Sequence, residues 1–171
     1  MWVSLMGPVS PFNIILVSSV ETATMVIKHN DSMKLGYTLY AAAVAVAIAG
    51  ILHLVDLGID TDHLQNISIT TFFIVAGAAQ IFWALPTARR WGKPWYYIGI
   101  AGNVALIVIW ILSRMPGNPI TEGGEAEGIG AIDIPVEIAQ AVYIGLVMAA
   151  IVIQQKQMMR IDHREKATDT V

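Results

Sequence analysis

The feature that most limits how this chain can fold is a set of four apolar blocks, each close to the length of a membrane-spanning helix. They cover residues 35–55, 67–85, 95–112 and 134–153. The hydrocarbon core of a bilayer is about 30 Å thick, and about 20 apolar residues in a helix cross it. Only 13% of the residues are charged, about half the share in soluble domains. The chain is therefore predicted to be an all-α, membrane-spanning four-helix up-and-down bundle.

Turn and cap signals separate these blocks. Asp62 with Gln65 matches a capping box before the second block, and the run Pro-Gly-Asn-Pro at 116–119 breaks the chain after the third. Pro86 is expected to end the second helix, because proline has no N–H to donate to the helix ladder. We place a transmembrane domain at residues 34–155 and a charged cytoplasmic tail at residues 156–171.

The first 33 residues are predicted to form a leader that does not span the membrane. They are fairly apolar, but Pro8, Pro11 and Glu21 interrupt them. No Lys or Arg precedes the apolar part, whereas a signal peptide begins with a basic region. We expect residues 1–33 to be disordered or to lie at the membrane interface, and a fifth spanning helix is the alternative.

Basic residues are distributed unequally between the two ends of the predicted bundle. Arg114 follows the third block alone, and nine of the ten basic residues share the opposite end. These nine are Lys28, Lys34, Arg89, Arg90, Lys93, Lys156, Arg160, Arg164 and Lys166. Because Lys and Arg in short loops stay in the cytoplasm, we predict a multi-pass protein of the cell membrane. Both termini are then cytoplasmic, and the loops between helices 1 and 2 and between helices 3 and 4 lie outside.

Two further patterns concern packing. Trp83, Trp91 and Trp95 cluster at the predicted inner boundary, where aromatic side chains anchor helices in the bilayer. Small residues recur at every fourth position and predict close helix–helix seams. These residues are Ala41, Ala45 and Ala49 in the first block, Ala101 and Ala105 in the third, and Ala141, Gly145 and Ala149 in the fourth.

Composition excludes several functional classes. The chain has no cysteine, which rules out disulfides, thiolate metal sites and iron–sulfur clusters. Its net charge of −3 and scattered basic residues argue against nucleic-acid binding. No pair of histidines faces across the predicted bundle as haem ligation needs, so haem is not expected and no other cofactor is indicated.

Polar residues near the outer ends of the helices predict a pocket there. Helical spacing places Asp133 and Glu137 on one face of the fourth helix, and His53 lies about a turn from the outer end of the first. Polar groups in hydrocarbon are costly unless they pair, so they are candidates for function. The predicted outer polar cluster consists of His53, Asp56, His63, Arg114, Asp133 and Glu137. Deeper in the membrane lie Gln80, Asn103 and Gln140.

Each of these side chains has a structural alternative. Asp133 is expected to cap the fourth helix, and His53 to be a hydrogen-bonded residue at a helix end. Arg114 either reaches the outer headgroups, pairs with Glu137 or holds an anionic ligand. A metal ion would use His53, His63 and Glu137.

The two deep amides of helices 2 and 3 have a structural alternative of their own. Gln80 and Asn103 are expected to form interhelical hydrogen bonds that fix helix register.

Three segments together carry a resemblance to a family. They are residues 80–85, 97–103 and 110–119, read as QIFWAL, YIGIAGN and WILSRMPGNP. Over residues 35–153 the chain resembles an uncharacterised prokaryotic family of small four-helix integral membrane proteins. The resemblance implies a histidine ending the first span (His53), a Pro-Glu-His element before the second (His63, here preceded by Thr61-Asp62) and acids opening the fourth (Asp133 and Glu137). It implies no activity.

Three functions remain open. The first is an accessory or structural subunit of a membrane complex, which would associate with other membrane subunits or with itself. The second is a bundle that binds a metal ion or small ligand at its outer face. The third is a proton- or solute-coupled transporter with Glu137 and Arg114 as the coupling pair, although no polar path is evident below Asn103. No nucleophile with a nearby base is apparent, so an enzyme is not expected.

Overall fold

The computed structural model describes residues 11–59, 67–121 and 124–168, and these form four helices. The helices are α1 (Pro11–Ile59), α2 (Ile67–Ala88), α3 (Lys93–Ser113) and α4 (Asp133–Thr168). Each contains a stretch long and apolar enough to cross a membrane: His29–Ile59, Ile67–Ala88, Lys93–Ser113 and Asp133–His163. The predicted all-α, membrane-spanning fold is confirmed.

The helices form an up-and-down bundle in which each packs against its neighbours in chain order. α1 lies against α2 and α4 along much of their lengths, whereas α3 contacts α4 over a shorter stretch and α2 least. Among the described residues, the diagonal pairs α1–α3 and α2–α4 make no close backbone contact. We call the end with the α2–α3 turn the proximal end, and the opposite end, where α4 begins, the distal end.

The core lies mainly between α1 and α4. Leu39, Val46, Tyr143 and Val147 are fully buried there, with Tyr96 of α3. Many large apolar side chains elsewhere on the helices are exposed, as expected for surfaces that face lipid tails rather than water.

The α2–α3 turn differs from its prediction. Pro86 lies within the last turn of α2, which continues to Ala88. Arg90 adopts a left-handed conformation with φ of 55°, and Trp91 N–H donates to Pro86 O at 3.0 Å. This pattern is a Schellman motif, so the helix ends through its left-handed residue and not through the proline.

α1 and α2 cross in backbone contact at two glycines. A Cβ added to Gly50 would lie 2.6 Å from Gly77 O, and one added to Gly77 would lie 2.8 Å from Gly50 O. Only glycine allows so close an approach. In the predicted seam of α1, Ala45 and Ala49 are buried, whereas Ala41 is exposed. The predicted seams of α3 and α4 are wrong, because their small residues are exposed: Ala101, Ala105, Ala141, Gly145 and Ala149.

α1 and α4 are much longer than their predicted spans. α1 starts at Pro11, so residues 11–33 continue the helix; an interfacial position for them stays a prediction. Similarly, α4 continues through the predicted tail to Thr168. No proline interrupts α1 after its first residue, and Arg160 Nη1 of α4 pairs with Asp31 Oδ2 of α1 at 2.9 Å. The two extensions therefore contact each other beyond the core of the bundle.

Candidate functional site

A cavity of about 620 Å³ opens at the distal end of the bundle. All four helices and the α3–α4 loop line it. Five of the six residues of the predicted outer polar cluster are in its wall: His53, Asp56, Arg114, Asp133 and Glu137. His63 lies outside the described residues. We call this space the distal cavity.

The α3–α4 loop is folded around one asparagine. Asn118 Oδ1 accepts the backbone N–H groups of Ile120 (2.9 Å) and Thr121 (2.8 Å), and its Nδ2 donates to the carbonyls of Met115 (2.8 Å) and Glu125 (3.2 Å). Asparagine between glycine and proline is typical of such side-chain-stabilised turns. The described residues of the loop therefore have a defined conformation and do not simply connect two helices.

This loop brings an unpredicted acid into the site. Glu127 N–H donates to Ser113 O at 3.0 Å, which holds Glu127 beside the last turn of α3. Its carboxylate then faces Arg114, with Oε2 3.4 Å from Nη1. Sequence reasoning missed Glu127 because it lies in a loop of no regular period. The Gly-Asn-Pro signal for an ordered turn was the available indication.

Arg114 is the centre of the polar network. Its Nη2 pairs with Asp133 Oδ2, and its Nη1 donates to Ser113 Oγ at 2.7 Å and to Trp110 O at 3.2 Å. The guanidinium also lies over the Trp110 ring, 4.5 Å from its centroid. Pairing with Glu137 was one of three alternatives for Arg114, and the structure shows ion pairs with Asp133 and Glu127 instead.

Asp133 occupies the first turn of α4. Its Oδ2 accepts the backbone N–H of Gly130 at 2.7 Å as well as the Arg114 guanidinium. A carboxylate at this position also interacts favourably with the helix dipole. Asp133 therefore joins the loop, the start of α4 and the end of α3, which is more than the cap predicted for it.

His53 is buried on α1. Its Nδ1 lies 3.1 Å from Ala49 O, and its ring contacts Phe73 of α2 at 5.6 Å between centroids. A carbonyl only accepts, so Nδ1 must carry the hydrogen in this contact, which leaves Nε2 as the acceptor of a neutral ring. The structure shows the hydrogen bond expected of a histidine near a helix end and also places the ring in the cavity wall.

Glu137 lies one turn below Asp133 on α4. It lines the distal cavity, and its buried Oε2 has no hydrogen-bond partner among the described residues. A buried carboxylate oxygen normally has a partner. Glu137 therefore offers the cavity an acceptor that no neighbouring side chain has taken.

Polar side chains continue from the cavity toward the proximal end. Gln80 Nε2 donates to Asn103 Oδ1 at 3.1 Å, which is the interhelical hydrogen bond predicted for these residues. Gln140 is fully buried, and neither its Nε2 nor its Oε1 has a hydrogen-bond partner in the described part of the chain. One turn further, the hydroxyls of Thr87 and Tyr143 are 3.4 Å apart. The bundle interior is thus more polar below Asn103 than the sequence indicated.

The charge balance of the distal cavity is negative. Among the residues that the structure describes, four acids and one arginine line it, the acids being Asp56, Glu127, Asp133 and Glu137. Within the part of the chain that the structure describes, no group of three His, Cys, Asp or Glu side chains is arranged to hold a metal ion. The metal site predicted with His63 stays a prediction, since that residue lies outside this part.

Comparisons with protein-family models, curated proteins and solved structures find no match to this chain. The family resemblance therefore stays a prediction, and function has to be argued from the distal cavity.

Proposed function

We propose that this protein is a small membrane bundle that binds a small ligand in the distal cavity. The observation that carries the proposal is the cavity itself. Its volume of about 620 Å³ falls within the range of about 300–1,000 Å³ typical of small-molecule sites. Its wall combines apolar side chains with a few converging polar groups, which is the usual composition of such sites.

The polar part of the wall is held in place before any ligand arrives. Arg114 is fixed by Asp133, Glu127 and the Trp110 ring. The loop that carries Glu127 is fixed by Asn118. A site whose groups are already ordered loses less conformational entropy on binding, so this rigidity supports a binding role.

The distribution of charge supports a position outside the cytoplasm for the distal end. The basic residues gather at the proximal end, including Arg89, Arg90 and Lys93 in or beside the α2–α3 turn. Because such residues favour the cytoplasmic side, we infer that both termini are cytoplasmic and that the cavity receives its ligand from outside.

The test is to fill the cavity and to compare ligand capture. Ile109 lines the cavity, whereas Ile111 on the same helix is 49% exposed at the bundle surface. Native mass spectrometry of gently isolated protein should show a bound small molecule in the wild type and in Ile111→Trp, but not in Ile109→Trp. An adduct that survives in Ile109→Trp would contradict binding in this cavity.

A second candidate is an accessory subunit of a membrane complex. It is favoured by the exposed small residues of α4, because Gly145 has open space where a Cβ would be and Ala141 and Ala149 are exposed beside it. Such surfaces allow close helix approach in membranes. Gly145→Leu should abolish copurification of a partner or second copy, whereas Met148→Leu on the same helix should not. Unchanged association in Gly145→Leu would remove this support.

A further inference from the structure

We infer that the ligand of the distal cavity is a small organic cation, with an ammonium group at Glu137 and an apolar body against the aromatic wall. This inference rests on the proposed binding function and names the chemical class that the cavity selects.

The first argument is that the charges of the cavity wall disfavour an anionic ligand. Arg114 is the arginine of the described wall, and its two Nη groups already meet Asp133, Glu127 and the Ser113 hydroxyl, which leaves its Nε without a described partner. Among the described lining residues, the acids outnumber it by four to one. An anion would have to displace these partners and approach the remaining carboxylates, and like charges at close range repel. A cation would instead be attracted by these carboxylates.

The second argument concerns hydrogen bonds. Glu137 Oε2 is an acceptor that no described residue meets with a hydrogen bond. The contact of His53 Nδ1 with Ala49 O leaves Nε2 as the acceptor of that ring. These two acceptors come from α4 and α1, which pack side by side. An ammonium group has three N–H donors and no acceptor, so it complements these two acceptors. The described wall also holds two unpartnered donors, Arg114 Nε and Trp110 Nε1, which an ammonium group does not use.

The third argument is the size and apolar lining of the cavity. A bare metal ion would leave most of 620 Å³ unfilled, and the described residues hold no three-ligand group for one. The rest of the wall includes Ile69, Phe72, Phe73 and Leu106. Aromatic faces attract cations and also bury apolar groups. A cation with a hydrocarbon body therefore fits the space better than an inorganic ion does.

The experiment compares three probes that share a phenyl ring and differ in charge: benzylammonium, benzyl alcohol and benzoate. Isothermal titration calorimetry on the full chain in detergent micelles gives the affinity of each. We expect benzylammonium to bind at least about tenfold more tightly than benzyl alcohol, since a hydrogen bond to a charged group contributes about 1.5–3 kcal/mol. Benzoate should bind most weakly.

Substitutions at Glu137 then test whether this residue causes the preference for the cation. Glu137→Gln keeps the shape and should lose about tenfold or more in benzylammonium affinity while leaving benzyl alcohol affinity unchanged. Glu137→Asp keeps the charge and should retain a preference for the cation. Glu125→Gln is the control, because this exposed acid of the α3–α4 loop does not line the cavity.

The outcomes separate the two proposals. If benzoate binds more tightly than benzylammonium, or if the wild type shows no preference for the cation, the proposed ligand class is overturned. The proposal of cavity binding still stands in that case if Ile109→Trp removes the binding. A cation preference that persists in Glu137→Gln would overturn the role of Glu137. Failure of all three probes to bind, together with an absent native adduct, would overturn the binding function itself.

Discussion

Arg114 joins the end of α3 to the start of α4 and to the intervening loop. Its side chain is 17% exposed and that of its partner Asp133 is 14% exposed, so neither charge is well solvated. Removing one member of such a pair leaves the other uncompensated, and the loss exceeds that of a surface ion pair. The network is therefore a structural requirement for the distal cavity as well as part of its wall.

We predict that Arg114→Gln lowers the free energy of unfolding by about 2–4 kcal/mol, because it leaves Asp133 partly buried without its counter-charge. The matched control is Arg160→Gln, which breaks the pair with Asp31. Arg160 is 64% exposed, and surface pairs contribute about 0–1 kcal/mol. Denaturant titration in detergent, followed by tryptophan fluorescence, measures both. Equal losses in the two variants would contradict the assigned importance of Arg114.

Gln140 is the second residue with a measurable consequence. Its amide is fully buried and unpartnered, and burying an amide without a partner costs about 1–3 kcal/mol. We predict that Gln140→Leu stabilises the bundle by about 1 kcal/mol or more, as thermal unfolding in detergent would show. Gln80→Leu should destabilise it instead, because Asn103 would lose its partner. A destabilised Gln140→Leu would indicate that the amide has a bonding partner in the membrane.

Individual residues of the site were predictable to different degrees. His53, Asp133 and Glu137 follow from helical spacing and from the scarcity of polar groups in the spans, which sequence displays directly. The partner of Arg114 could not be predicted from helical spacing. Which acid it meets depends on where α4 begins relative to α3, and the folded loop around Asn118 sets that position.

At the scale of helices, the crossing of α1 and α2 limits which residues can occupy the two positions where the backbones meet. Gly50 and Gly77 bring two backbones together, so a methyl group at either position meets main-chain atoms that cannot move away independently. This contact was not predicted, since the two glycines are far apart in sequence and belong to no four-residue repeat.

We predict that Gly77→Ala lowers stability by about 1–3 kcal/mol, as expected for overpacking against a backbone. Gly102→Ala is the matched control, because open space surrounds that position. There the higher helix propensity of alanine should raise stability slightly. Thermal unfolding of the two variants in the same detergent tests the difference. A neutral Gly77→Ala would show that the two helices can separate at no cost.

Helix existence was predictable and helix extent was not. Each apolar block matches a helix because its length matches the bilayer. The proximal ends of α1 and α4 lie outside the apolar blocks, so the hydropathy of the sequence does not show how far these helices extend. The wrong seams on α3 and α4 have a related cause, since a period of four residues marks a helix face without saying whether protein or lipid covers it.

The whole molecule has two unlike ends, with basic residues at the proximal end and the acid-lined cavity at the distal end. The absence of cysteine from the chain makes the orientation directly measurable. We predict that a membrane-impermeant thiol reagent added to intact cells labels Glu125→Cys in the α3–α4 loop but labels Met159→Cys near the end of α4 only after lysis. The reverse pattern would contradict the inferred topology.

The uneven packing of α3 has a kinetic consequence. α1 packs against both α2 and α4 over long contacts, whereas α3 is held over shorter ones and contributes Leu106, Ile109 and Trp110 to the cavity wall. Displacing α3 therefore breaks fewer contacts than displacing any other helix of the bundle would. We expect the residence time of a bound molecule to depend on how often α3 moves outward, so substitutions at the α3–α4 contact should change dissociation rates more than affinities.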